Sequence, residues 1–140
     1  MRVFLDSSVL LAAVGSATGA SREVIRRAPQ QDWTLIATPY VIDEVQANIS
    51  RLPLADERFW NECGRDLLIL EDIFAIDKPA AFAPAKDRPI LFSALAWADV
   101  LLTLDRADFG DLLGKSFYDL AILRPGEFLQ RERAGGRLSF

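Results

Sequence analysis

The sequence predicts an α/β fold in which helices cover both faces of a central parallel sheet. Short apolar runs such as "RVFL", "WTLIAT" and "VLLTL" alternate with longer helical segments, which is the pattern of consecutive strand–helix units. These runs are largely apolar and do not alternate with polar residues, as expected of strands that are buried on both faces. The chain of 140 residues, 51% of them hydrophobic, is long enough to build one hydrophobic core.

The first half of the chain supplies two strands and their helices. The strand "RVFL" is followed at once by a helix in "SSVLLAAV". A short helix, "SREVIRRA", is expected to begin with Ser21 as its N-cap and to end near Pro29. The second strand, "WTLIAT", leads into the helix "PYVIDEVQANISRL", whose Pro39 suits a first helical turn.

The second half continues the alternation less regularly. A helix in "ADERFWNECGRDLL" precedes a third strand within "LILEDIFAI", and "DKPAAFAPAKD" is a Pro- and Ala-rich connection. The helix "DRPILFSALAWA", the strands "VLLTL" and "DLAIL" and the closing helix "PGEFLQRERA" follow. We predict one domain over residues 1–133 and a mobile C-terminal tail at residues 134–140.

Composition excludes several kinds of active site. The chain has no histidine, which excludes a Ser-His-Asp triad, and its single cysteine, Cys63, cannot form an internal disulfide or a structural zinc site. The remaining chemistry rests on carboxylates, hydroxyls, Lys, Arg and Tyr, and carboxylate sites suit Mg²⁺ and Mn²⁺. The net charge of −4 argues against a polyanionic partner, but arginine outnumbers lysine and favours phosphate contacts.

The predicted location is the cytoplasm, with no contact to a membrane. No apolar run approaches the roughly 18–20 residues of a membrane-spanning helix. The N-terminus enters a strand-like run without the basic region and cleavage site of a signal peptide.

Two predicted strands end on aspartate. Asp6 follows "RVFL" and Asp105 follows "VLLTL". The carboxyl ends of neighbouring parallel strands emerge at the same edge of a sheet, and ligands bind at that edge. We therefore expect both carboxylates to lie at one ligand-binding edge.

Helical periodicity selects two further acids. In the helix after the second strand, Asp43 lies roughly 150° from the centre of the apolar stripe and Glu44 roughly 110° from it. Glu44 therefore lies on the flank, from which its long side chain can reach the sheet edge. Asp87 opens the helix "DRPILFSALA" on its inward side, where helix N–H groups are expected to hold its carboxylate.

Each of these acids also has a simpler interpretation. Asp6 and Asp87 could be plain N-caps, Glu44 a surface charge and Asp105 a turn residue. Four carboxylates that meet at one site, however, repel one another by about 3–4 kcal/mol per pair at separations of ~4–5 Å. Such a cluster requires protons or divalent cations, and we favour metal binding.

Four segments together resemble the PIN-domain family of metal-dependent nucleases, which includes many toxins of toxin–antitoxin pairs. The matching segments are "VFLDSSVLLAA", "IATPYVIDEV", "KDRPILFSALAWADVLLTLDRADF" and "ILRPGEFL". Their order and spacing agree from about Arg2 to Leu129. The resemblance implies a three-layer α/β/α sandwich with a central parallel sheet.

The resemblance also implies roles for individual residues. The metal ligands and catalytic residues would be Asp6, Glu44, Asp87 and Asp105. Ser7, Ser8 and Thr103 would support Asp6, although many members of the family carry asparagine where this chain has Ser8. Three further acids would lie outside the site, Asp99 as a structural residue and Asp108 and Asp111 as solvated ones.

The implied reaction is hydrolysis of RNA phosphodiester bonds with one or two Mg²⁺ or Mn²⁺ ions. Arg88 and Arg106, next to proposed ligands, are expected either to hold phosphates or to pair with the adjacent acids. No base-stacking aromatic residue is evident, since Phe4, Phe92 and Trp97 are expected in the core or at its margin. An antitoxin protein and a second copy of the chain are the partners that the resemblance suggests.

Other classes fit less well. A haloacid-dehalogenase-like enzyme needs a second aspartate two residues after the first, where this chain has Ser8, and a phosphoreceiver domain needs a late lysine where it has Arg124. The more serious alternative is a non-catalytic PIN-like module that binds protein or RNA, which the acidic net charge of −4 keeps open.

Overall fold

The predicted α/β fold is confirmed. A computed structural model describes residues 1–79, 82 and 84–139. In these residues, six strands form one mostly parallel sheet, and seven α-helices complete a three-layer α/β/α sandwich. Three alanines of the predicted Pro- and Ala-rich connection (Ala80, Ala81 and Ala83) and the last residue of the predicted tail (Phe140) lie outside the described residues.

The strand order creates a switch point beside β1. The strands are β1 (Arg2–Leu5), β2 (Thr34–Ala37), β3 (Leu68–Ile69), β4 (Val100–Leu102), β5 (Lys115–Phe117) and β6 (Leu120–Leu123). Their order across the sheet is β3-β2-β1-β4-β6-β5, and every neighbouring pair is parallel except β5 and β6. The chain thus moves outward from β1 in one direction and then returns to its other side with β4. Such a reversal opens a crevice at the carboxyl ends of the two central strands.

The helices fill the connections between the strands. They are α1 (Ser7–Gly15), α2 (Ala20–Gln31), α3 (Pro39–Asn48), α4 (Glu57–Asp66), α5 (Arg88–Trp97), α6 (Arg106–Phe109) and α7 (Pro125–Ala134). Two single turns of 3-10 helix, Ile49–Arg51 and Ala85–Asp87, extend α3 and precede α5. Among the described residues there is no helix with the length and apolar character needed to cross a membrane.

The core lies on both sides of the central strands. Val3, Phe4 and Leu5 of β1 each have an exposed fraction of 0%. Consecutive residues of a strand point to opposite faces, so complete burial of three in a row requires cover on both faces. The largely apolar runs in the sequence therefore correctly predict central strands that are buried on both faces.

Helix α2 differs from its predicted bounds at both ends. Its N-cap is Gly19, so the prediction that Ser21 caps the helix is wrong and Ser21 lies in the first turn. The helix also continues past Pro29 to Gln31. A proline near the C-terminal end removes only one late backbone hydrogen bond, and the helix tolerates it there.

The sheet contains one hairpin that the sequence pattern does not reveal. β5 pairs antiparallel with β6 through Tyr118 and Asp119, which have φ angles of 48° and 68°. Two consecutive residues with positive φ match the type I′ turn, which usually carries Asn-Gly. Because the turn here lacks glycine, its usual sequence signal is absent.

Of the described residues after α7, Leu138 is buried and the others are exposed. Leu138 has an exposed fraction of only 4% and belongs to the hydrophobic core. Arg137 pairs with Glu132, and the Ser139 carbonyl accepts a hydrogen bond from Arg27. Leu138 therefore anchors this segment to the core, and the mobility expected of residues 134–140 stays a prediction.

Candidate metal centre

The two strand-end aspartates lie at the predicted edge of the sheet. Leu5 of β1 pairs with Leu102 of β4, so the next residue of each strand emerges at the same level. The Asp6 amide donates a hydrogen bond to the Leu102 carbonyl at 3.0 Å, and the Thr103 amide donates to Leu123 at 3.0 Å. The strand pairing therefore continues through the first residues of the site and holds them in register.

Asp6 is buried and held by three donors. Its Oδ2 accepts hydrogen bonds from Ser8 Oγ at 2.6 Å and Thr103 Oγ1 at 2.8 Å, and its Oδ1 accepts from the Ser7 amide at 2.8 Å. A carboxylate offers about four lone-pair sites. Three sites are used by these donors, and the Ser7 hydroxyl, 3.4 Å from Oδ1, is shared between Asp6 and Glu44.

Backbone amides orient the two hydroxyls that donate to Asp6. The Leu104 amide donates to Ser8 Oγ at 3.0 Å, and the Asp105 amide donates to Thr103 Oγ1 at 3.1 Å. A hydroxyl has a single proton, so each hydroxyl accepts from an amide and directs that proton at Asp6. This arrangement agrees with the predicted supporting roles of Ser8 and Thr103.

The environment of Asp6 favours its neutral form when no cation is bound. Burial raises the pKa of the Asp6 carboxyl, and the negative charge of Glu44 raises it further. The hydrogen bonds from Ser8, Thr103 and the Ser7 amide act in the opposite direction and lower this pKa. A bound cation would remove the cost of holding charge here, because opposite charge favours the ionised carboxylate.

Glu44 joins the site from α3, as the helical periodicity predicts. Its side chain accepts a hydrogen bond from Ser7 Oγ, whereas the neighbouring Asp43 is exposed. Ser7 therefore connects α1 with α3 at the site. Glu44 and Asp6 both line one small cavity, so the choice of Glu44 over Asp43 is confirmed as a matter of position.

Asp87 is buried beside two other aspartates. One carboxylate oxygen from each of Asp87, Asp105 and Asp108 lies within 4.8 Å of the others. Asp87 has an exposed fraction of 4%, and its Oδ2 has no hydrogen-bond partner among the described residues. Burial raises the pKa of Asp87 to about 8, helped by a hydrogen bond shared with Asp108 and by the charges of Asp6, Asp108 and Asp105.

The expected capping role of Asp87 is wrong. Asp87 makes no side-chain hydrogen bond to the N–H groups of α5, because it belongs to the 3-10 turn Ala85–Asp87 with helical backbone angles. An N-cap residue normally has extended backbone angles, which bring its side chain over the first turn. The carboxylate of Asp87 is therefore available to the cavity.

Asp108 belongs to the acidic cluster, contrary to the prediction that it is solvated. Its side chain is 19% exposed and pairs with Lys86 Nζ at 3.2 Å. Asp105 caps α6 by accepting a hydrogen bond from the Asp108 amide at 3.0 Å, and this cap brings Asp108 back toward the site. The three-residue spacing of the two aspartates in "DRAD" is the sequence signal that could have predicted this cap. Asp111 is exposed, as expected.

The two predicted phosphate-binding arginines do not line the acidic cavity. Arg88 donates through Nε to the Phe82 carbonyl at 3.0 Å, so it does not pair with the adjacent aspartate either. Arg106 is exposed at the start of α6. The cation that lines the cavity is Lys86, which the sequence reasoning missed although it precedes Asp87. Asp99 is structural, as expected, because it accepts a hydrogen bond from the Arg2 amide at 2.8 Å.

The cavity is small, polar and suited to a hard cation. Its volume is about 170 Å³. The residues that line it are Asp6, Ser7, Ser8, Leu11, Glu44, Asn48, Lys86, Asp87 and Asp105. Mg²⁺ and Mn²⁺ prefer carboxylate oxygens, and the orphaned Oδ2 of Asp87 is a buried acceptor that a cation would satisfy. The residues present therefore fit the metal that the sequence analysis predicts.

A scan against models of known protein families finds no match for the chain, and no curated protein matches it either.

Proposed function

We propose that this protein is a PIN-domain endoribonuclease that hydrolyses RNA phosphodiester bonds with Mg²⁺ or Mn²⁺. The observation that carries the proposal is the convergence of acids from separate parts of the chain at the switch point of the sheet. Asp6 and Asp105 follow β1 and β4, Glu44 comes from α3, and Asp87 precedes α5. An edge crevice of this kind is where α/β folds bind ligands.

The proposed ligands divide into a rigid and an adaptable set. Asp6 is held by three hydrogen bonds and would bind the cation without rearranging. Asp87, with a pKa raised to about 8, would release its proton when the cation binds. Glu44 and Asp105 would complete the site, and we add Asp108 to the four acids that the sequence selected.

A bound divalent cation supplies an activated water at neutral pH and neutralises charge that develops on phosphate oxygens. The residues of this chain orient the substrate and hold the ligand oxygens. Lys86 Nζ lies at the rim of the cavity, exposed and paired with Asp108. It is the cation best placed to contact a phosphate oxygen of the substrate.

Calorimetric titration of Mn²⁺ into metal-free protein tests the site directly. We expect saturable binding by the wild type and its loss in Asp6→Asn/Asp105→Asn, because that variant removes one ligand from each central strand. Asp111→Asn, an exposed acid after α6, is the matched control and is expected to bind as the wild type does. Negligible binding in all three proteins would contradict the metal site.

Cleavage of single-stranded RNA, followed on a gel with and without EDTA, tests the reaction itself. Cleavage that requires the divalent cation and disappears in Asp6→Asn/Asp105→Asn is the expected result. Cleavage that persists equally in that variant would contradict the proposed chemistry.

We further propose a cytoplasmic toxin whose antitoxin inserts an arginine-bearing amphipathic segment into the acidic cavity. The excess of carboxylates over cations around the cavity supports this choice of partner. Expression of the wild type is expected to arrest growth, and Asp6→Asn is expected to relieve the arrest. Purification of the wild type alone as a harmless, fully active monomer would count against both the antitoxin and a homodimer.

A non-catalytic interaction module is the second candidate. Two apolar side chains of the edge strand β3 favour a protein contact there, with exposed fractions of 40% for Leu68 and 44% for Ile69. An apolar sheet edge is a common site of association. Absence of Mn²⁺ binding together with preserved folding would favour this candidate over the nuclease.

A further inference from the structure

A second, larger cavity lies beside the acidic site, along the C-terminal half of α1. Its volume is about 680 Å³. The residues that line it are Ala12, Ser16, Gly19, Ala20, Ser21, Leu104, Arg124, Pro125, Gly126, Glu127 and Gln130. The two cavities are neighbours: Leu11 lines one and Ala12 the other, and the Leu104 amide bonds to Ser8 of the acidic site. We call the larger cavity the amide groove.

Two helix N-termini open into the amide groove. α2 begins after Gly19 and α7 begins after Arg124, and neither helix has a side-chain cap. The first amides of α2 and the amides of Gly126 and Glu127 in α7 therefore have no partner within their own helices. The positive ends of two helix dipoles and several free N–H donors form a typical environment for a phosphate group.

Two side chains add independent evidence for an anionic ligand. Ser21 has an exposed fraction of 5%, lines the groove and has no hydrogen-bond partner among the described residues. The Ser21 Oγ atom is accessible from the groove, and a ligand oxygen could accept its proton. Arg124 is exposed at the groove and, within the described part of the chain, forms no side-chain hydrogen bond or ion pair.

The single carboxylate at the groove is already neutralised. Glu127 Oε1 pairs with Arg131 Nη2 at 2.8 Å, and the same nitrogen donates to the Gly114 carbonyl at 3.2 Å. Arg131 therefore draws the charge of Glu127 toward the β5 side of α7. The unpaired charge that remains at the groove is that of Arg124, which is the sign that a phosphate requires.

The walls of the groove leave room for close approach. A Cβ atom added to Gly126 would be 4.0 Å from the Ala20 side chain, so the two helix ends are separated there by an ordinary contact distance. Gly19 and Gly126 both line the groove without side chains. Backbone amides can therefore contact a ligand without steric hindrance, as they do in glycine-rich phosphate sites.

We propose that the amide groove binds a phosphate group of the RNA substrate next to the one that is cleaved. This inference rests on the proposed nuclease function, because it takes RNA as the ligand of the adjacent acidic site. The groove would position the strand while the acidic cavity holds the scissile phosphate. An internal phosphate and a 5′-terminal phosphate present the same chemistry, and the experiment distinguishes them.

The first measurement is titration of inorganic phosphate into ¹⁵N-labelled wild-type protein in EDTA, followed by amide chemical shifts. We expect saturable shifts at Ala20, Ser21, Gly126 and Glu127. The absence of saturable shifts at these amides would overturn the proposal. Because no divalent cation is present, this result does not depend on nuclease activity, and failure of the groove is distinguishable from failure of the metal site.

The second measurement compares variants for binding of labelled single-stranded RNA in EDTA by fluorescence anisotropy. Arg124→Gln is expected to weaken binding roughly tenfold, which corresponds to about 1.4 kcal/mol, because it removes a charge-assisted contact to phosphate. The salt dependence is also expected to decrease, by about 0.7 in the slope of log affinity against log salt. Arg65→Gln, an exposed arginine that lines neither cavity, is the matched control and should bind as the wild type does.

A third variant excludes simple loss of folding. Gly126→Asp places a carboxylate at the first turn of α7, where it should preserve the helix and occupy the free amides. We expect this variant to melt at or above the wild-type temperature and to lose the phosphate shifts. Undiminished phosphate and RNA binding in Gly126→Asp and Arg124→Gln would overturn the proposal.

RNA with and without a 5′-phosphate identifies the source of the bound group. A wild-type preference for the phosphorylated RNA that disappears in Arg124→Gln would support the terminal phosphate. Equal affinity for both RNAs, with the same loss in Arg124→Gln, would support an internal phosphate. Binding of inorganic phosphate without any binding of RNA would overturn the assignment of the groove to the substrate.

Discussion

The acidic cavity and the amide groove are neighbours along α1 and are built in opposite ways. In the acidic cavity, negative side chains crowd together and neighbouring hydroxyls and amides hold them, as Asp6 accepts from Ser8 and Thr103. In the amide groove, backbone donors and Arg124 remain unpaired. One region therefore has surplus acceptors and the other has surplus donors. A nuclease requires this complement, since its cation needs acceptors and its phosphates need donors.

The largest effect that we predict results from removing a carboxylate from the acidic cavity. Asp6→Asn should reduce the turnover of RNA at saturating substrate by about 10³-fold, because loss of the cation forfeits several kcal/mol of transition-state stabilisation. Steady-state cleavage assays in Mn²⁺ measure this effect, with Asp111→Asn as the control. Turnover within threefold of wild type would show that Asp6 is not a ligand.

The second prediction concerns the stability of the metal-free protein. The pKa of Asp87 is raised to about 8 by burial and by neighbouring acids. Above the ordinary aspartate pKa of about 4, the unfolded carboxyl ionises while the native one stays protonated, so wild-type stability falls as pH rises toward 8. Asp87→Asn cannot ionise, so its free energy of unfolding relative to wild type should be larger at pH 8 than at pH 5.

Urea unfolding in EDTA at both pH values measures this difference for Asp87→Asn and wild type. Asp43→Asn, at an exposed position of α3, controls for general loss of negative charge. An equal stability difference at pH 5 and pH 8 would contradict the raised pKa and the crowding that causes it.

The third prediction tests the hydroxyls that hold the carboxylates. Ser8→Ala removes one of the two donors to Asp6 Oδ2 and leaves the Leu104 amide without its acceptor. Loss of such a supporting contact typically costs 10- to 100-fold in metal affinity. Calorimetry with Mn²⁺ measures the loss, and Ser50→Ala, at an exposed position, is the control. Wild-type affinity in Ser8→Ala would mean that Asp6 needs no support from Ser8.

The smallest effect is predicted for the matching serine of the amide groove. Ser21→Ala removes a buried hydroxyl that has no partner among the described residues, and alanine is the better helix former. We therefore expect thermal unfolding to show a gain of about 0.5 kcal/mol in stability. A loss of stability in Ser21→Ala would contradict the contrast between the two regions.

Much of the acidic site follows from local sequence patterns. The strand-end positions of Asp6 and Asp105 depend on short apolar runs, and the choice of Glu44 over Asp43 depends on helical periodicity. Each of these patterns extends over a few consecutive residues. A pattern of that length predicts which face of an element is buried. The positions of these acids follow from the buried faces of their elements.

The recruitment of Asp108 and Lys86 could not be predicted in this way. Asp108 reaches the cluster because Asp105 caps a four-residue helix, and Lys86 and Asp87 belong to a single 3-10 turn. Such short elements have no periodicity to detect. The hairpin between β5 and β6 was not predicted for a related reason. Its positive φ angles occur at Tyr118 and Asp119, and the turn has no glycine to signal it.

By itself, the sequence determined the alternation of strands and helices, the buried character of the central strands and the acids at their carboxyl ends. Only the tertiary structure decided which acids share protons, which serines are bonded and how two helix N-termini come to face one groove. The physical reason is the distance along the chain over which the interactions act. Hydrophobic periodicity acts within one element, whereas pKa shifts, orphaned donors and cavities depend on groups that are distant in the chain and meet only after folding.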